Sequence, residues 1–221
     1  MDNRVNHGTL PVGNEDVAFF GSDNPGIPSV ESAKQARKKQ NFPNFDFFNF
    51  SGIHRPVRIY TTPASYIEDI VLVPDISGTD GIVSYEVRTG GAHSDNEVAV
   101  KILDEDGNCV ASAAGREGTV TIPDARLWWP FPGTPYLYRA EVTYGGDIYE
   151  ESFGIRTVKV EGSSFLINGE PFYFKGFGKH EDSPFHGRGL DVCLDVKDVN
   201  LIHWLNANSF RTSHYPYAEE M

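Results

Sequence analysis

The sequence is short of cysteine, of positive charge and of long apolar runs. It has two cysteines, Cys109 and Cys193, in 221 residues. Two distant thiols make no disulfide framework, and no Cys-x-x-Cys is present. Two unpaired thiols in a reducing compartment is the reading that follows. Lys and Arg number 19 against 31 Asp and Glu, a formal net charge of −12. Binding to DNA or RNA neutralises phosphates with clustered basic side chains, so nucleic acid is an unsuitable partner. The one basic run, Lys34, Arg37, Lys38 and Lys39, lies in a polar stretch and reads as a solvated surface. No segment approaches the ~18 consecutive apolar residues of a membrane span. The start, Met1-Asp2-Asn3-Arg4-Val5-Asn6, lacks the charged-then-apolar layout of a secretory signal. The expectation is a soluble cytoplasmic protein with neither nucleic acid nor membrane as partner.

What is abundant points to β-structure. The chain is 39% hydrophobic and 13% aromatic, with 22 Gly, 14 Pro, 15 Phe and 10 Tyr. That is enough apolar material for a sizeable core, broken into short strands by many turns. Residues 1–57 are rich in Asn, Gly, Pro and Asp, with few strand signals, and read as the tail of a domain whose start is missing. Residues 58–158 carry β-rich runs at 58–62, 67–74, 81–89, 97–103, 118–122, 137–144 and 149–160. Gly78-Thr79-Asp80-Gly81, Gly90-Gly91, Asp106-Gly107 and Gly145-Gly146 separate several of them. Val98, Val100 and Ile102 alternate onto one face. About seven short strands in about a hundred residues fit an immunoglobulin-like sandwich. Trp128 or Trp129 is expected in its core. The acidic Asp104-Glu105-Asp106-Gly107-Asn108 lacks calcium-loop spacing and reads as a hairpin turn.

Residues 159–221 change period again. The run 165–174 predicts a hairpin leading into a buried strand, and 176–189 a long polar loop. A helix is predicted over 195–206, with Val196, Val199, Ile202 and Leu205 on one face, and a further strand over 208–212. Strand, loop, helix, strand opens a parallel α/β layout that is cut off after Met221.

Three dense motifs remain. One is Asp46-Phe47-Phe48-Asn49-Phe50-Ser51-Gly52-Ile53-His54-Arg55-Pro56. The second is Gly176-Phe177-Gly178-Lys179-His180-Glu181-Asp182, and the third Asn208-Ser209-Phe210-Arg211-Thr212-Ser213-His214-Tyr215-Pro216. Their residues also have plain explanations. Asp46 suits a loop cap. His180 and Glu181 lack the His-Glu-x-x-His spacing of a metal site, and Gly176-Phe177-Gly178 lacks the third glycine of a dinucleotide loop. No metal and no cofactor is expected. Arg211 and His214, however, fall at the C-terminal end of the last predicted strand, the edge where α/β barrels put their sites.

These motifs resemble glycoside hydrolase family 2, over most of residues 42–221. Asn208 through Pro216 is similar to the family's first barrel signature. Asp46 through Pro56 and Gly176 through Asp182 are similar to the forms found in its β-glucuronidase branch. The resemblance implies a mostly β chain with a truncated α/β part. Residues 1–57 would be the end of a jelly-roll sugar-binding domain, 58–158 an immunoglobulin-like β-sandwich, and 159–221 the start of a TIM barrel. It implies retaining hydrolysis of a β-glucuronide by two glutamates beyond residue 221, so that no catalytic residue lies in this chain. Carried over by motif position, Asp46 and His214 would contact sugar hydroxyls, and His180 would approach the same pocket. Arg211 would sit beside the nucleophile and keep it ionised. The full-length enzyme would be a homo-oligomer, a tetramer. Two other readings stay open: a β-galactosidase of the same family, and a non-catalytic carbohydrate-binding or interaction module built on the sandwich.

Overall fold

The computed structural model describes residues 52–92, 97–213 and 215–221. The chain forms two compact units. One gathers Arg58–Gly178 and Val199–Arg211. The other gathers Lys179–Asp198 and Thr212–Met221 with the described residues up to Val57.

The larger unit is built on two antiparallel sheets. In the first, β1 (Ser65–Ser77), β2 (Asp80–Gly91) and β5 (Glu117–Ile122) run in the order β1-β2-β5. A two-residue loop joins β1 to β2, because Ser77 pairs with Asp80. Gly78 takes a φ of 64° there, which costs a glycine little. The second sheet has the order β4-β3-β6-β7, from β3 (Ala99–Leu103), β4 (Cys109–Ala114), β6 (Tyr138–Tyr144) and β7 (Asp147–Phe153). Period-two alternation turns Val83, Tyr85 and Val87 of β2 inward, and Tyr138, Ala140, Val142 and Tyr144 of β6 likewise. With Val100, Ile102, Val120 and Ile155 they make one continuous core. Ile102 is fully buried. Ile102→Ala is therefore expected to cost roughly 2–5 kcal/mol, the sum of lost transfer energy and a residual cavity. Val158→Ala, at a side chain 55% exposed, should stay within about 0.5 kcal/mol. Urea unfolding followed by circular dichroism checks the pair; equal midpoints would contradict this core.

Several local expectations change. The run 58–62 is no strand; Ile59 and Tyr60 are 97% and 80% exposed. Ile, Tyr and Thr favour strands only when a neighbour supplies pairing and packing, and β1 begins only at Ser65. Conversely, β4 is an Ala- and Ser-rich segment with weak propensity. Its strand character comes from the turn before it. Asp104 Oδ1 accepts from the amides of Asp106 and Asn108 at 3.0 and 2.8 Å, folding β4 back onto β3. The acidic cluster is thus the hairpin turn its spacing suggested. Trp128 and Trp129 are partly buried, but neither joins the core cluster. Trp128 instead lies under the Arg156 guanidinium, 4.4 Å from the ring centre. Tyrosines fill the core in its place, and the Tyr138 hydroxyl accepts from the Arg126 amide at 2.9 Å.

Beyond the sandwich, β8 (Val158–Glu161), β9 (Ser164–Ile167) and β10 (Glu170–Pro171) form a small antiparallel sheet. Its tip, Asn168-Gly169, has positive φ at both residues, as a tight two-residue turn requires. The Asn168 side chain bonds the Thr157 amide and the Trp128 carbonyl, both at 2.9 Å. The chain then enters β11 (Gly176–Lys179), helix α1 (Val192–Trp204) and β12 (Ser209–Thr212). β11 lies where a polar loop was expected. Two glycines hide its strand character, and one is there for the pairing itself. A Cβ on Gly176 would meet the Ser209 carbonyl oxygen at 2.1 Å. Amide bonds from Asn208 to Lys175 and from Ser213 to Lys179 advance together along both segments, so β11 and β12 are parallel. The helix starts and ends earlier than its periodicity suggested. Asp191 caps it, accepting the Leu194 amide at 3.1 Å. Asn206, at φ 56°, ends it in a Schellman turn, with bonds from Asn206 to His203 and from Ala207 to Ile202. Of its predicted apolar face only Ile202 is buried, while Val196 and Leu205 are each 57% exposed.

Candidate functional site at the ends of the parallel strands

The third motif begins with a clip. Asn208 accepts the Lys175 amide at 2.8 Å through Oδ1 and donates to the Tyr173 carbonyl at 3.0 Å through Nδ2. One side chain thus replaces two ladder partners and holds β12 against the segment entering β11. Arg211 lies within β12 and is exposed. The chain leaves the two strands at His180 and at Ser213, so Glu181 and Asp182 of one motif and Tyr215 of the other follow the C-terminal strand ends.

In the smaller unit, the residues after these strand ends form a dense polar network. Glu181 is buried, and both its carboxylate oxygens are occupied. Oε2 takes a hydrogen bond from Arg55 Nη2 at 3.1 Å, and Oε1 takes one from the Ala218 amide at 2.7 Å. The Glu181 amide donates to the Tyr215 hydroxyl at 3.0 Å. The Tyr215 ring carries the Arg188 guanidinium 3.7 Å from its centre and stacks on Tyr217 at 5.5 Å. His180 meets Tyr215 edge-on at 6.4 Å, and its Nδ1 is 4.0 Å from Asp182 Oδ2. Tyr217 donates its hydroxyl proton to the Lys179 carbonyl. Burial pushes this phenol up to about 12, so it stays a neutral donor throughout ordinary assay pH.

A charged cluster lies beside it. Lys179 is buried and pairs with Asp198 at 3.0 Å. Asp195 is also buried, and its Oδ2 has no hydrogen-bond partner. Burial pushes its carboxyl up, and the Lys179 ammonium opposes that shift. Farther along, His186 Nδ1 lies 2.9 Å from Asp191 Oδ2 and holds that capping carboxyl below its usual range. No group of three or more His, Cys, Asp or Glu side chains among the described residues is arranged to hold a metal ion. No helix there is long and apolar enough to cross a membrane.

Of the residues proposed from sequence, His180 and Arg211 are described, while Asp46 and His214 lie outside the described residues. Sequence reasoning passed over the linking roles of Arg55, Tyr215 and Tyr217. Arg55 and Tyr215 stood inside the quoted motifs, but nothing in the linear spacing shows that residues 55, 181 and 218 meet.

Two consecutive family models match the chain. One, described as Glycosyl hydrolases family 2, spans residues 65–156, and the other, Glycosyl hydrolases family 2, TIM barrel domain, spans 158–221. The chain belongs to glycosyl hydrolase family 2. Its sandwich and the parallel strand pair are accordingly the family's immunoglobulin-like domain leading into its TIM barrel. A beta-glucuronidase of Paenibacillus borealis is 53% identical over 179 residues, covering 79% of this chain and 30% of that relative. One from Rattus norvegicus is 51% identical over 184 residues, covering 79% of this chain and 28% of the relative. The solved structure of a Faecalibacterium prausnitzii beta-glucuronidase superposes with a TM-score of 0.80 at 62% identity, over 99% of this chain and 36% of that one. The chain thus spans about a third or less of the length of these relatives.

Proposed function

We propose that these residues are a segment of a retaining β-glucuronidase. Residues 1–57 are the end of its jelly-roll sugar-binding domain, 58–158 its sandwich, and 159–221 the opening of its barrel. The observation that carries the reading is the identity of 53% and 62% to proteins named beta-glucuronidase, over 79% and 99% of this chain. The reaction is double displacement at a β-D-glucuronide. One Glu protonates the leaving oxygen and later activates water, and a second attacks the anomeric carbon. Both lie beyond residue 221. Glu181 is unsuited to either role, because Arg55 and the Ala218 amide occupy its oxygens. Glu219 and Glu220 are exposed in a turn. Asp46 and His214 bind sugar hydroxyls, and His180 reaches the same pocket. Arg211 stands beside the nucleophile. A guanidinium there lowers a carboxylate pKa, which suits a nucleophile and would disable an acid. No cofactor takes part, and the full-length enzyme is a homotetramer of cytoplasmic origin.

The test is substrate preference of the full-length protein. With matched chromogenic glycosides, kcat/KM for the β-glucuronide should exceed that for the β-galactoside on the order of 100-fold or more, because a site that pairs a substrate carboxylate rejects the analogue lacking it. Preference for the galactoside would overturn the assignment.

A further inference from the structure

Ser213, Tyr215 and Ala218 all make contacts to one short stretch, Lys179 to Glu181. Ser213 is 1% exposed, and its amide donates to the Lys179 carbonyl at 3.1 Å. The Tyr215 hydroxyl receives the Glu181 amide, and the Ala218 amide reaches the Glu181 carboxylate. Arg55 closes the frame. Its Nη2 donates to Glu181 Oε2 at 3.1 Å and to the Pro216 carbonyl at 2.7 Å. The Glu181 side chain is 6% exposed and that of Arg55 31%. Arg55 of the first motif therefore ties Glu181 of the second to Pro216 of the third.

A pair in this position is poorly explained by stability alone. Taking a carboxylate out of water costs about what the partner returns, and apolar replacements of such pairs are often neutral or stabilising. What the pair supplies is direction. A planar guanidinium bonding a carboxylate and a carbonyl at once sets the angle between the segments that bear them. We infer that Arg55 and Glu181 are positioning residues for the sugar-binding side chain at 214, acting through Pro216 and Ala218 without touching substrate. This rests on the reading of His214 as a sugar contact. Glu181, through the Ala218 amide, and Arg55, through the Pro216 carbonyl, then set where the residue at 214 is presented.

The experiment is a double-mutant cycle in the full-length enzyme. Glu181→Gln and Arg55→Lys are each made in the wild-type and in the His214→Ala backgrounds. Assays use whichever chromogenic glycoside, glucuronide or galactoside, the wild type cleaves. In the wild-type background each change should lower kcat/KM about tenfold or more; in the His214→Ala background it should cost less than about threefold, because its target is already gone. A structural pair would instead cost the same factor in both backgrounds, and that result overturns the inference. Arg55→Lys keeps the charge and stands in should Glu181→Gln not fold. Failure of the glucuronide reading shows separately, as a wild type that prefers the galactoside. A wild type that cleaves neither removes both.

Discussion

A polypeptide limited to these 221 residues is expected to release no chromophore from a chromogenic β-glucuronide above a heat-killed control. Retaining hydrolysis needs two carboxyls about 5–5.5 Å apart, one protonated and one ionised, with the sugar between them. Several described carboxylates near the strand ends are committed elsewhere. Glu181 is held by Arg55 and the Ala218 amide, Asp182 accepts from Tyr215, Asp198 pairs with Lys179, and Asp191 caps the helix. Glycosidases accelerate cleavage by many orders of magnitude, with a floor for enzymes generally of about 10⁶-fold. Positioning groups without an acid and a nucleophile cannot supply that. The loss relative to the full-length enzyme should therefore be complete within any ordinary assay. Turnover that scales with the concentration of the 221-residue polypeptide would refute the placement of both glutamates beyond residue 221.

The second large effect belongs to Asp46 and His214. In the full-length enzyme, Asp46→Ala or His214→Ala should each lower kcat/KM on the order of tenfold or more with an unchanged melting temperature. For Asp46 the reason is the strength of a charge-assisted hydrogen bond to a sugar hydroxyl, roughly 1.5–3 kcal/mol, and for His214 the roughly 1–3 kcal/mol cost of leaving a buried partner unsatisfied, against about 1.4 kcal/mol for each factor of ten. If Asp46 only capped its aromatic loop, its removal would shift stability and leave kinetics alone. Steady-state kinetics beside thermal melts separate the two. Unchanged kcat/KM in both variants would end the sugar-contact reading.

The proposed sugar contacts lead back to the Arg55–Glu181 pair. An enzyme that binds a sugar through residues from separate segments must hold those segments in register to a fraction of an ångström. Hydrogen bonds from Arg55 and Ala218 to a single carboxylate are a compact way to do this. Glu181 stands in the His-Glu-Asp motif beside the site without being available for proton transfer. A carboxylate in such a motif is thus better judged by its partners than by its position.

Period and turn chemistry carried most of the fold. Alternation named the inward face of β3, Asp104 through Asn108 named a hairpin, and the run 165–174 named another. Those signals are local, so one chain position contains its own cause. Motif resemblance likewise supplied the family, because residue order survives without any geometry. What the sequence left undetermined was non-local. Weakly β-prone 109–114 is a strand and strongly β-prone 58–62 is not, because pairing partners rather than propensity decide. Gly176-Phe177-Gly178-Lys179 looks like a loop until the Ser209 backbone is laid against it. The core took tyrosines and left Trp128 under an arginine, a matter of which side chain fills which space. Above all, nothing along the chain brings Arg55, Glu181 and Ala218 together. Only the folded backbone, by carrying residues 126 and 161 positions apart to Arg55, turned three motifs into one constellation.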